Sequence, residues 1–213
     1  MTTIDRDLFG GAIASKLPEG FVDISEFREV PDNQEVFVEN DTDASIIIEL
    51  FDYETDIPDD KAVRHYFNEL AAFNESTHYV VLNDNIIDDQ TCAPLIPPDH
   101  TREILIGHQS ISKYRNRPDS VVDEVYVILV LIRLKSVGTD LLVSLNIPVK
   151  HGEAEEAEGS FDSSLFHANM LLGLENCELF EDIYRRYPSV KALKGFVNWL
   201  NVRDWSLFIN NNE

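Results

Sequence analysis

The stretch "VYVILVLIRLKSVGTDLLVSLNIPV", Val125 to Val149, decides the fold. It climbs as an apolar run to Lys135, turns through "SVGTD" at Gly138 and returns as "LLVSLNIPV". On the return, Leu141, Val143, Leu145 and Ile147 share one side, while Ser144 and Asn146 share the other with Leu142. That period of two marks a strand, and the whole reads as a β-hairpin. The outgoing arm is apolar on both faces, as suits a central strand covered by helices above and below.

Working outward, further strands are expected at "EVFVE" (Glu35 to Glu39), "SIIIELF" (Ser45 to Phe51), "HYVVL" (His78 to Leu82) and "EILIGHQSI" (Glu103 to Ile111). Between them, "KAVRHYFNELAAF" carries Val63, Tyr66, Phe67 and Leu70 at spacings of three and four, so it predicts a helix, capped by Asp59 or Asp60 after Pro58. The C-terminal region, 162–202, reads as two helices, the second opened by Pro188 after a break at Tyr187. The acidic run "HGEAEEAEGS", 151–160, has nothing to bury and reads as a surface loop. Trp199 and Trp205 are expected in the core, and "FGGAI" as a tight turn. This order favours an α+β fold, a single domain over 1–213 with a mostly antiparallel sheet of about six strands and helices on both faces.

Charge narrows the function. Seventeen Lys and Arg stand against 39 Asp and Glu, for a net charge of −22. Such a field repels nucleic-acid phosphates and anionic lipid headgroups, and it attracts basic protein surfaces. Two widely spaced cysteines, a start without a signal peptide and no apolar run long enough to span a bilayer point to an intracellular, reducing compartment. No nucleophile elbow, phosphate loop or metal-ligand spacing is present, so no catalytic residue, cofactor or metal is expected. The basic cluster "KYRNR" from Lys113 to Arg117 reads as a solvated strand end. From Met1 to Asp60, by contrast, the net charge is −14. By themselves the residues describe an acidic α+β domain whose acidic third is either a solvated face or a protein-binding one.

Three segments go further. "LFGGAI" (Leu8 to Ile13), "LPEGFVDISEFREVPDNQEVF" (Leu17 to Phe37) and "SIIIELFD" (Ser45 to Asp52) resemble the opening of the Mog family, the Ran guanine-nucleotide release factors of nuclear import. "LIRLKSVGTDLLVSLNIP" (Leu131 to Pro148) is similar to that family's late hairpin, and "VRDWSLF" (Val202 to Phe208) to its terminus. The resemblance implies a sheet flanked by helices, a fold shared with the extrinsic P subunit of photosystem II. It also implies binding to the small GTPase Ran with release of its nucleotide, in the nucleus and also the cytoplasm, by a monomer that is not itself an enzyme.

The positions that match are Asp23, Asp32, Glu35, Glu49 and Asp52 as Ran-binding carboxylates. Arg28 matches as an internal counter-ion that shapes the acidic loop. Glu49 and Asp52 are three apart and contact one partner together only if the strand ends or twists near Phe51. Two rivals come from other classes: an acidic adaptor that binds a basic partner without releasing nucleotide, and a hydrolase using two carboxylates.

Overall fold

The computed structural model describes residues 2–87, 92–112, 122–149 and 187–208. The loop expected at 151–160, the first of the two helices expected near the C-terminus and the "KYRNR" segment lie outside them.

The hairpin forms as its alternation dictates. Strand β8 (Val122–Leu134) and strand β9 (Thr139–Pro148) pair antiparallel, with Val130 opposite Val143 and Arg133 opposite Asp140. Gly138 closes the turn at φ 65°, a left-handed conformation that glycine adopts without a Cβ penalty. Around the hairpin lie β3 (Phe21–Asp23), β4 (Gln34–Glu39), β5 (Ser45–Asp52), β6 (His78–Ile87) and β7 (Thr101–Ser112). Their order across the sheet is β3-β4-β5-β9-β8-β7-β6, antiparallel at every pairing. The sheet thus has seven strands where about six were expected. The extra one is β3, whose three residues are too few to show a period.

A second sheet was not anticipated. Strands β1 (Thr3–Leu8) and β2 (Ile13–Pro18) form a hairpin, joined by the two-residue β10 (Asn201–Val202). "FGGAI" is the tight turn between β1 and β2, with Phe9, Gly10 and Gly11 all at positive φ.

The two faces of β8 enter different cores. Val127, Leu129 and Leu131 cluster with Ala62, Val63, Tyr66 and Phe67 of helix α1 (Asp59–Phe73). The Phe67 ring lies so close over Gly107 of β7 that no Cβ would fit there. Ile128, Val130 and Ile132 join the larger core, which runs from Leu8 to Phe208 and takes in Ile13 and Leu17 of β2. It also includes Val190, Leu193, Phe196 and Val197 of helix α2 (Pro188–Trp199). Where helical cover was expected, this second core is built from the small sheet together with α2. Pro188 is the first residue of α2, where its missing N–H costs nothing.

Two expectations are corrected here. Neither Asp59 nor Asp60 caps α1: the N-cap is Pro58, and the Asp59 carboxylate faces Arg133 and Lys135 instead. Trp199 is 52% exposed, with the Lys16 ammonium 4.0 Å from its ring centre, rather than packed in the core.

Candidate functional site

Antiparallel pairing gathers the candidate carboxylates at one end of the large sheet. Strand β3 ends at Asp23, the chain loops through 24–33, and β4 begins at Gln34, directly opposite Glu49 of β5. Asp52 lies three residues further along β5, opposite Thr139 at the hairpin turn. Asp23, Asp32, Glu35, Glu49 and Asp52 therefore all belong to this end. The loop is tied back by Asn33, whose carbonyl accepts from the Leu50 N–H at 3.0 Å and whose side chain donates to the Leu50 carbonyl at 3.1 Å.

The five are not equivalent. Asp23 is a cap: its Oδ1 accepts from the Ser25 N–H at 2.8 Å and from the Ser25 hydroxyl at 2.7 Å, and so starts the short 3-10 turn Ile24–Glu26. Glu35 reaches the other sheet, where its Oε1 accepts from the Phe9 N–H at 2.6 Å. It fastens the positive-φ turn of the small sheet to the large one. Burial pushes its carboxyl above the usual range, against the opposing pull of that bond, and the neighbouring Asp23 adds to the rise. Glu49 is half-buried and accepts from the Gln34 amide at 2.6 Å; burial raises its carboxyl too. Asp32 and Asp52 are exposed, and neither side chain has a partner among the described residues.

Strand β5 keeps its pairing register up to Asp52 and ends there, one residue beyond Phe51. Ile46 and Ile48 point into the large core, so Asp52 shares their face, and Glu49 points to the opposite face, beside Leu142. A partner that touches both must sit over the end of the sheet rather than on either face.

Arg28 departs from expectation. It is exposed and pairs with no carboxylate among the described residues. The loop is shaped instead by the Asp23 cap and by the Ile24 carbonyl, which accepts from both Phe27 and Arg28 N–H groups.

The cation that does organise this end is Arg133, which the sequence reading passed over. It is wholly buried. Its guanidinium donates to Asp140 Oδ1 at 3.1 Å, Asp59 Oδ1 at 2.9 Å, and the carbonyls of Ile57 and Glu54 at 2.8 and 2.7 Å. It also lies 4.1 Å from the centre of the Tyr53 ring. Tyr66 donates to the second Asp140 oxygen at 2.9 Å, and Lys135 pairs with Asp59. The segment that follows Asp52 is thus clamped to the hairpin and to the first turn of α1. The signal was present: a turn at Gly138 puts the one cation of an apolar strand opposite Asp140. Close by, buried Glu103 accepts from the Val63 N–H at 3.3 Å, and burial raises its carboxyl to about 7.

No group of His, Cys, Asp and Glu able to hold a metal occurs among the described residues. The arrangement is a surface of carboxylates held by a rigid support.

Residues 6–148 match the family described as Ran-interacting Mog1 protein. The chain belongs to the Mog1 family. A Mog1 relative from Danio rerio, named Ran guanine nucleotide release factor, is 34% identical over 147 residues, 68% of this chain and 79% of its own. A second, from Dictyostelium discoideum, is named a probable Ran guanine nucleotide release factor and is 27% identical over 97% of this chain and 96% of its own. Among solved structures, the Ran-binding protein Mog1p of Saccharomyces cerevisiae is similar with a TM-score of 0.66 and 25% identity, covering 98% of this chain and all of that one. The Mog1 match runs from β1 to the end of β9, and so includes every candidate carboxylate and the Arg133 clamp.

Proposed function

We propose that this chain binds Ran and promotes release of its guanine nucleotide in nuclear import, docking through the acidic end of its large sheet. Family membership supports the partner, through relatives whose names specify Ran and nucleotide release. The observation that carries the docking surface is the placement of Asp32 and Asp52, exposed and unpaired among the described residues, at one end of a sheet in a chain of net charge −22. A carboxylate free of internal partners is available to a Lys or Arg of another protein, and it repels the phosphates that such cations otherwise hold. Asp23, Glu35 and Glu49 set the shape of the surface and add to its field.

Release requires no catalytic group on this chain. By linkage, whatever affinity it gains for nucleotide-free Ran over loaded Ran is subtracted from the affinity of Ran for nucleotide. The protein then acts as a regulator, a monomer in nucleus and cytoplasm, without nucleic-acid or direct membrane contact. It acts as one domain, in keeping with a core that runs from Leu8 to Phe208.

The test is release of fluorescent GDP and GTP from purified Ran as this protein is titrated in. Acceleration with saturation supports the proposal. Binding with an unchanged release rate would leave the non-releasing adaptor as the reading.

A further inference from the structure

Phe27 stands at the tip of the loop between β3 and β4 with 73% of its surface exposed. An isolated exposed apolar residue needs no explanation on its own. Three features set this one apart. It lies among carboxylates, between Asp23 and Glu26 on one side and Glu29 and Asp32 on the other, at the sheet end where Asp32 and Asp52 are unpaired among the described residues. Its backbone is pre-set: Asp23 caps the turn through Ser25, and the Phe27 N–H donates to the Ile24 carbonyl at 3.0 Å. The ring is therefore presented on a short ordered turn rather than on a slack loop, and little further ordering is needed when it is covered. Lastly, the charge around it restricts what can cover it. A second copy of this chain would bring the same carboxylates and a net charge of −22 against its own.

We propose that Phe27 is the apolar anchor of the docking surface, entering a recess ringed by Lys and Arg on the partner. This rests on the Ran reading and deepens it: the carboxylates steer the encounter, and the ring holds the complex. Desolvated aromatics commonly dominate protein interfaces, and exposed charges mainly set association rates. Binding energy lodged in Phe27 would appear in dissociation, with little dependence on salt, whereas that lodged in Asp32 and Asp52 would appear in salt-dependent association.

The experiment is stopped-flow binding of nucleotide-free Ran at low and at high salt, using the full chain. Phe27→Ala should dissociate about thirty-fold faster than wild type at both salt concentrations, with association changed less than about twofold. Phe27→Leu should recover most of the loss. Phe73→Ala is the control, because Phe73 is 86% exposed at the far end of α1, outside the acidic surface, and should be silent. All three variants should melt like wild type. The anchor is overturned if Phe27→Ala dissociates within about threefold of wild type, if Phe73→Ala causes an equal loss, or if the loss tracks a lowered melting temperature. Wild type that fails to bind Ran at all overturns the Ran reading as well, so the two failures are told apart.

Discussion

The carboxylates around Arg133 and those of the loop 24–33 are close in the fold and opposite in circumstance. Asp140 is wholly buried and Asp59 largely covered, each held by Arg133, and Lys135 gives Asp59 a second cation. In the loop, Glu26, Glu29 and Asp32 are exposed, and Arg28, the one cation there, pairs with none of them. Counting charge treats both regions alike. Asking which carboxylates already have a cation separates them: the first set holds elements of the fold together, and the second has no cation among the described residues.

Removing the buried cation should give the largest effect. Arg133→Met leaves Asp140 uncompensated in the core and frees the carbonyls of Glu54 and Ile57, at a cost of about 3–5 kcal/mol. For a chain of this length that lowers the melting temperature by roughly 10 °C or more. A change within 2 °C or so, on the order of scatter between preparations, would mean that the clamp is dispensable.

Glu103 sharpens the same side of the comparison through pH. Its carboxyl is raised to about 7 in the folded chain from 4.5. The folded state therefore holds the proton more tightly than the unfolded one. The resulting stability is fully present below about pH 4.5 and is lost as pH rises through 7. The whole change is about 3 kcal/mol. Glu103→Gln should remove this slope and melt higher than wild type at pH 8. Parallel denaturation profiles for the two proteins across that range would show that Glu103 does not titrate this way.

The loop offers smaller changes. Asp23→Ala removes the cap on Ser25 and should cost about 1 kcal/mol, read by urea unfolding. Asp32→Asn and Asp52→Asn should each shift stability by no more than about 0.5 kcal/mol, because neither side chain has a partner to lose among the described residues. A drop of several kcal/mol in either would place it with the Arg133 set.

What could be read from sequence follows how strongly each segment commits to a period. The hairpin was legible because Leu141, Val143, Leu145 and Ile147 alternate without interruption and all reach one core. The small sheet was not, since β1, "TIDRDL", has only Ile4 and Leu8 as apolar residues, separated by three charged ones, and β10 has two residues. Helix α1 was found through Val63, Tyr66 and Phe67, but its start was misassigned. Asp59 resembles a cap locally, and a cation 74 positions away claims it. The candidate site divides in the same way. Its acidity was plain, and the division of labour within it was not, because Glu35 is tied to Phe9 and Glu49 to Gln34 by contacts between segments 15 or more positions apart.

The central claim is that unpaired carboxylates at the sheet end act on Ran. Its most direct test is the rate of fluorescent nucleotide release from Ran with wild type and with Asp32→Lys/Asp52→Lys. Like charges meeting at an interface can cost several kcal/mol, and each 1.4 kcal/mol or so is tenfold, so release by the variant should fall at least about tenfold while its melting temperature stays at the wild-type value. A variant that melts like wild type and still releases nucleotide at the full rate would contradict the account.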